Sequence, residues 1–186
     1  WSFAASVMRR IGSGQYSYVR GQHYDAWSYF LGIEKKFDPM NSISLIALGA
    51  PTRRGVASAS TQEVYDLVGS NFYNPNIGRQ GGKWRNARER KNHEPIIQLS
   101  HYYNNVAKQL YINTTFSYRF GQNTYSALNW YNAPDPRADY YRYLPSYFTR
   151  MADPNGQDQA SADRYTELWK IEPNVRYINW DRLYEA

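Results

Sequence analysis

Apolar and polar side chains alternate with period two along five stretches of this chain, and each stretch predicts a β-strand with one apolar face. In residues 1–11, Trp1, Phe3, Ala5 and Val7 alternate with Ser2, Ala4 and Ser6. In 24–37, Trp27, Tyr29, Leu31, Ile33 and Phe37 share a face interrupted only by Lys35. The other face carries Ala26, Ser28, Phe30, Gly32, Glu34 and Lys36. In 42–50, Ile43, Leu45, Ala47 and Gly49 oppose Ser42, Ser44, Ile46 and Leu48. In 93–103, Pro95, Ile97, Leu99, His101 and Tyr103 oppose Ile96, Gln98, Ser100 and Tyr102. Pro95 cannot donate a ladder hydrogen bond, so it is expected at a strand start or a bulge. The cleanest alternation is 109–120, where Leu110, Ile112, Thr114, Phe116, Tyr118 and Phe120 face away from Tyr111, Asn113, Thr115, Ser117 and Arg119.

The connections alternate in length. Short turns follow Phe37, at Asp38-Pro39-Met40-Asn41-Ser42, and Tyr103, at Asn104-Asn105. Long segments follow the first, third and fifth strands. Gly12–Gln22 is punctuated by Gly and Ser. In 56–92, Ser60-Thr61-Gln62-Glu63 resembles a capping box that opens a short helix through Leu67, and an Asn-, Gly- and Pro-rich run follows it. In 121–186 no long alternation returns, but 162–171 reads as one short helix inside a compactly folded loop. A sheet with tight turns at one end and large loops at the other is the plan of an outer-membrane β-barrel, with short periplasmic turns and long extracellular loops. On that plan strands 1–11, 42–50 and 109–120 run outward, and 24–37 and 93–103 run inward. Such barrels need about eight strands or more, so five make an arc. The expected fold is all-β: a segment of an antiparallel transmembrane β-barrel, one partial barrel domain over 1–186, with long extracellular loops about 56–92 and 121–186. Its lipid-facing residues would be Trp27, Tyr29, Leu31, Ile33, Leu45, Ile97, Leu99, Ile112 and Phe116, with Trp27 and Tyr29 in the outer aromatic girdle.

Composition agrees with that plan. Mean hydropathy is −0.78, yet 17% of the 186 residues are aromatic and 19 are tyrosine. Disordered chains lack aromatics, whereas a barrel combines a polar lumen and polar loops with aromatic girdles. A sugar-binding β-protein is also tyrosine-rich, because the ring offers an apolar face and a hydroxyl. No run of about 18 apolar residues predicts a membrane helix, which says nothing against strands. Trp1 is not a start residue and no signal peptide is visible, so the chain reads as an internal or processed piece. Net charge is +6, with basic residues in Arg53-Arg54 and in Lys83–Lys91. No nucleic-acid motif accompanies them, and a solvated loop is the plainer reading than an anion patch; lipopolysaccharide phosphates or an acidic substrate lie between the two.

Chemistry is sparse. There is no cysteine, hence no disulfide and no thiolate site. His23, His93 and His101 have no metal-site spacing. No GxSxG, Walker, HExxH or GxGxxG pattern occurs, so no catalytic residue, metal site or cofactor is expected, and an unrecognised hydrolase is the weakest reading. Asp135 with Asp139, and Asp153 with Asp158, could supply oxygen ligands for Ca²⁺, but they read better as solvated loop carboxylates. Trp130, Tyr140, Tyr141, Arg142 and Tyr143 are the candidates for stacking on or bonding a ligand; their structural role would be to fold the loop onto itself.

The run SALNWYNAPDPRADYYRYLPSYF (126–148) is similar to stretches of TonB-dependent outer-membrane receptors of Bacteroidetes type. So are LIALGAPTRRG (45–55), NPNIGRQGGKWRNARER (74–90) with the following HEPIIQLSHYY, and YINWDRLYEA (177–186). The likeness covers the chain from about Tyr24 onward, in the same order. It implies a barrel of about 22 strands with a plugged lumen, of which this is a mid-barrel section. It also implies nutrient import across the bacterial outer membrane, energised by a TonB complex that acts through an N-terminal part not recognisable here. Partners would be that complex, outer-membrane lipid or lipopolysaccharide, and a surface lipoprotein, with no nucleic acid. The alternative is a soluble all-β carbohydrate-binding module with a tyrosine-rich surface.

Overall fold

The computed structural model describes residues 1–14, 17–130, 132–150 and 158–185. They form mostly antiparallel β-sheet, divided between two compact units.

The first unit comprises Trp1–Gly12, Tyr24–Arg54 and Arg90–Tyr125. It holds β1 (Ser2–Gly12), β2 (Tyr24–Lys36), β3 (Asn41–Gly49), β8 (Ile96–Asn105) and β9 (Leu110–Arg119), with most of the short strands β4 (Thr52–Gly55), β7 (Glu89–His93) and β10 (Gln122–Tyr125). β3 and β4 are one strand interrupted at Pro51, because Gly49 pairs with Tyr29 and Thr52 with Ala26 in unbroken register. β7–β8 and β9–β10 behave alike: Ile96 pairs with Arg119 and His93 with Gln122. The result is five long antiparallel strands in sequence order, a meander. The sheet does not close among the described residues, and β1 and β9 have no partner on their outer edges.

The five expected strands and both short turns are therefore present, with shifted ends. The fourth begins at Glu89, inside the stretch read as loop 56–92, and the fifth runs to Tyr125, inside the stretch read as loop 121–186. Asp38 closes the first turn: its carboxylate accepts from Met40 N at 2.7 Å and Asn41 N at 2.8 Å. The Asn41 side-chain amide, which also donates to this carboxylate, together with these backbone bonds holds it below the usual carboxylate range.

The second unit comprises Ser13–His23, Gly55–Glu89 and Ser126–Ala186. It contains α1 (Gln62–Val68), the hairpin β5 (Ile77–Gln80) and β6 (Lys83–Asn86), α2 (Pro145–Arg150), α3 (Gln159–Ile171), β11 (Ile178–Asn179) and α4 (Trp180–Glu185). The long connections are thus folded structure rather than open loop. The expected short helix at 162–171 is part of α3, capped by Asp158, whose carboxylate accepts from Ser161 N at 2.9 Å. At α1 the cap is Thr61, not Ser60, and Glu63 does not close a capping box. Its carboxylate reaches instead to Ser146, accepting from the backbone N at 2.8 Å and from Oγ at 2.6 Å.

One core joins Val64, Tyr73, Ala138, Leu144 and Trp169; a second joins Ala87, Ile178 and Trp180. Three buried asparagines brace the chain between them. Asn74 donates to Arg20 O, Asn76 to Val56 O and Ser58 Oγ, and Asn86 to Gly21 O and Val56 O. A buried amide must be hydrogen-bonded, and these amides meet that need by tying distant backbone segments together.

Candidate functional site

Register decides which side chains share a face, because cross-strand partners project the same way. From edge to edge, one row reads Phe3, Ile33, Leu45, Leu99 and Phe116; the next reads Ala5, Leu31, Ala47, Ile97 and Tyr118. All nine residues expected to face lipid lie on this face. Seven of them (Trp27, Leu31, Leu45, Ile97, Leu99, Ile112 and Phe116) are exposed, and Tyr29 and Ile33 are partly so. Phe3 and Val7, at 72% each, are barer still. Five strands about 4.8 Å apart, over about 26 Å between the Trp27 and Lys35 rows, make a projected patch on the order of 600 Å². That is at the upper limit of what soluble monomers leave uncovered.

Polar residues bound this face at both ends. Beyond Trp27 come Asp25, Arg53, Lys91, His93 and Gln122, which line a cavity of about 290 Å³. Arg9 donates to Asp25 through Nε and a terminal nitrogen, both at 3.1 Å, and its guanidinium lies 4.8 Å from the Trp27 ring centroid. Tyr29 reaches toward the same end: its hydroxyl is 3.0 Å from His93 Nε2. It lies across Gly49, where any Cβ would meet the Tyr29 ring. At the other end Lys35 Nζ sits 5.0 Å from the Trp1 ring and 4.9 Å from the Phe37 ring.

The opposite face carries mostly small and hydrogen-bonding groups, interrupted by Met8, Phe30, Ile46, Leu48 and Ile96. Ser100 Oγ is 3.0 Å from Thr115 Oγ1, Thr115 Oγ1 donates to Asn113 at 3.2 Å, and Gln98 donates to Ser100 at 3.3 Å.

The ligand candidates Trp130, Tyr140, Tyr141, Arg142 and Tyr143 all belong to the second unit. Tyr140 meets Tyr141 edge-on at 4.7 Å and Tyr143 at 5.6 Å, and Tyr141 meets Tyr147 at 5.7 Å. Arg142 Nε donates to the Tyr141 hydroxyl at 3.0 Å, which holds that phenol below the usual tyrosine range. The Tyr143 carbonyl accepts from Trp169 Nε1. Trp130 stands apart with Arg137, whose guanidinium is 5.7 Å from its ring. The tyrosines therefore pack mostly on one another, leaving Tyr141 and Arg142 exposed.

Asp135 and Asp139 are not solvated, contrary to their sequence reading. Asp135 is buried and receives Arg137 through Nε, a terminal nitrogen and the backbone N. Asp139 accepts from Ser60 Oγ at 2.9 Å, and burial raises its carboxyl above the usual range. Arg137 occupies both oxygens of Asp135, whereas Asp139 is bonded through Oδ2 alone and its Oδ1 is buried without a partner. Asp158 serves as the α3 cap; Asp153 lies outside the described residues. Among the described residues no cluster of three metal-ligating side chains occurs.

A cavity of about 420 Å³ in the second unit has no counterpart in the sequence expectations. Arg79 and Trp84 are cross-strand partners on the β5–β6 hairpin, and Arg20 comes from the segment that Asn74 and Asn86 brace. The Arg79 guanidinium is 4.8 Å and that of Arg20 5.9 Å from the Trp84 ring centroid. Gly21, at φ 81°, lets this segment approach Ile77 more closely than a Cβ would permit. Comparison with protein families, with curated proteins and with solved structures finds no match to this chain.

Proposed function

We propose that this chain is an arc of an outer-membrane β-barrel belonging to a TonB-dependent importer, with the second unit on the extracellular side. The observation that carries the reading is the bare face of the meander: a continuous apolar band, bounded by Trp27 and Tyr29 at one end and Trp1 and Phe37 at the other, backed by a face on which small and polar side chains outnumber apolar ones. An antiparallel sheet in water hides its apolar face; one in a bilayer shows it to lipid and turns its polar face to the lumen. The two unpaired edges then continue into further strands, since open edges do not occur in hydrocarbon. The import function rests on the resemblance to TonB-dependent receptors. The soluble carbohydrate-binding module is disfavoured because it would have to cover this band.

The absence of native cysteine allows a direct test. In intact cells, Leu45→Cys and Leu99→Cys should react with a lipid-soluble maleimide and resist a water-soluble one, whereas Ser6→Cys and Ser117→Cys, exposed on the other face, should behave oppositely. Glu167→Cys should label from the cell exterior. Equal labelling of both faces by the water-soluble reagent would remove the membrane reading. Loss of the TonB complex should abolish any uptake that the parent protein supports.

A further inference from the structure

We infer that the 420 Å³ cavity of the second unit is a binding site for a phosphate monoester dianion. The inference is independent of the barrel reading, because every residue that lines the cavity lies within this unit. Two guanidinium groups, Arg20 and Arg79, converge on one indole, Trp84. Neither has a carboxylate partner among the described residues. In the same unit Arg137 is held by Asp135. Two uncompensated cations gathered at one indole repel, and an anion that meets both removes that cost.

The cations are also pre-positioned. Each guanidinium makes a cation–π contact with the indole, which limits its freedom before a ligand arrives. The Arg20 side is braced by the Asn74 and Asn86 bonds to the Arg20 and Gly21 carbonyls. The Arg79 side is set by the hairpin register opposite Trp84. Arg85 also lines the cavity but is already engaged: it donates to Gln80 at 2.6 Å and to the Tyr184 hydroxyl at 2.9 Å, and its guanidinium lies 4.1 Å from the Trp180 ring centroid. Lys83, next to Trp84, adds positive potential at the cavity rim.

The choice among anions follows from valence. A carboxylate carries one charge and neutralises one guanidinium. A tetrahedral dianion can serve two guanidiniums at once. A phosphate monoester carries close to two charges at neutral pH, matching two arginines. The cavity volume suits a carrier of single-sugar to disaccharide size, with the Trp84 ring beside its apolar face. The phosphate could arrive on a free sugar phosphate or on a lipid headgroup, and the experiment distinguishes them.

The intact chain in non-ionic detergent is titrated calorimetrically with glucose 6-phosphate and with inorganic phosphate. In parallel it is tested for flotation with phosphatidylcholine vesicles with and without phosphatidic acid. Arg20→Gln and Arg79→Gln should each weaken phosphate binding about tenfold, the usual loss for one charge-assisted bond to an ion. Arg79→Lys should recover part of it. Arg164→Gln, which removes the same charge from an exposed position on α3, should change nothing. Far-ultraviolet circular dichroism confirms that each variant is folded. Binding of the soluble phosphate that depends on Arg20 and Arg79 supports a free sugar phosphate. Binding only to phosphatidic acid vesicles, with the same dependence, supports a lipid headgroup. No binding to either, or equal weakening by Arg164→Gln, overturns the site.

Discussion

Replacing Leu31 by lysine tests the orientation of the whole sheet at one position. Leu31 lies midway along β2 between Trp27 and Lys35, flanked by Ala5 and Ala47 on the neighbouring strands. Eight residues at about 3.3 Å rise give about 26 Å along the strand, and a tilt of about 40° reduces this to about 20 Å along the membrane normal. Trp1 and Phe37, just beyond Lys35, bring the band to about the 25 Å height of a barrel's apolar belt. On the proposed barrel reading, Leu31 sits within a few ångströms of the bilayer midplane. Both neighbours are alanines, so no polar group is at hand to receive an ammonium, and the interface is about 10 Å away in either direction. The expected cost of Leu31→Lys is about 2–4 kcal/mol, and even the lower value shifts the folding equilibrium roughly thirtyfold. The control is Glu34→Lys, on the opposite face between Ser2 and Ser44. There the new lysine meets small polar side chains and water, and the change should stay within about 0.5 kcal/mol. The assay is guanidinium unfolding of the parent protein in lipid vesicles, followed by tryptophan emission. If Leu31→Lys costs no more than Glu34→Lys, the face assignment is wrong.

In the second unit, Trp169→Ala should cost about 3–5 kcal/mol. The indole is fully buried in the Val64–Leu144 core, and its Nε1 donates to the Tyr143 carbonyl. Hydrogen exchange of the α3 amides measures it, and a loss below about 1 kcal/mol would contradict that core. The carboxyl of Asp139 should titrate above the usual value of about 3.9 by ¹³C NMR, because burial opposes its charge. The folded state then holds more protons than the unfolded one between the ordinary and the raised value, so stability falls as pH rises through that window. Asp139→Asn should remove this slope, and an unchanged slope would assign it to another group.

The meander was legible because each strand has one face that must be apolar and one that must not, and period two records that requirement residue by residue. The missed strand ends show where the signal stops. Glu89–His93 and Gln122–Tyr125 pair with one another beyond the apolar band, where both faces carry polar residues and alternation has nothing to alternate. The second unit was obscured for a different reason. Asn74, Asn76 and Asn86 carry the composition of a turn, yet they are buried braces whose partners lie at Arg20, Val56 and Gly21. The cavity arginines share this difficulty: Arg20 and Arg79 are distant in the chain, and only the fold brings both to Trp84. A local signal for Arg79 existed, since a tight Gly81-Gly82 hairpin places it opposite Trp84.

The interruptions of the long strands add an argument that side chains alone do not make. Trp27 N donates to Pro51 O at 2.9 Å, and Phe120 N donates to Pro95 O at 3.3 Å. In each of these pairs proline has no N–H to return, so the carbonyls of Trp27 and Phe120 lose a ladder donor. An unsatisfied carbonyl in hydrocarbon costs several kcal/mol, whereas at the interface water can take the donor's place. The two prolines, on adjacent strands, sit where the face changes from Leu45, Ala47, Ile97 and Leu99 to Arg53, Lys91 and His93. On the proposed barrel reading, backbone and side chains mark the same level as the edge of the bilayer. A proline one turn of the pleat lower, at Ala47 or Ile97, would break the ladder inside the apolar band, where no water can repair it.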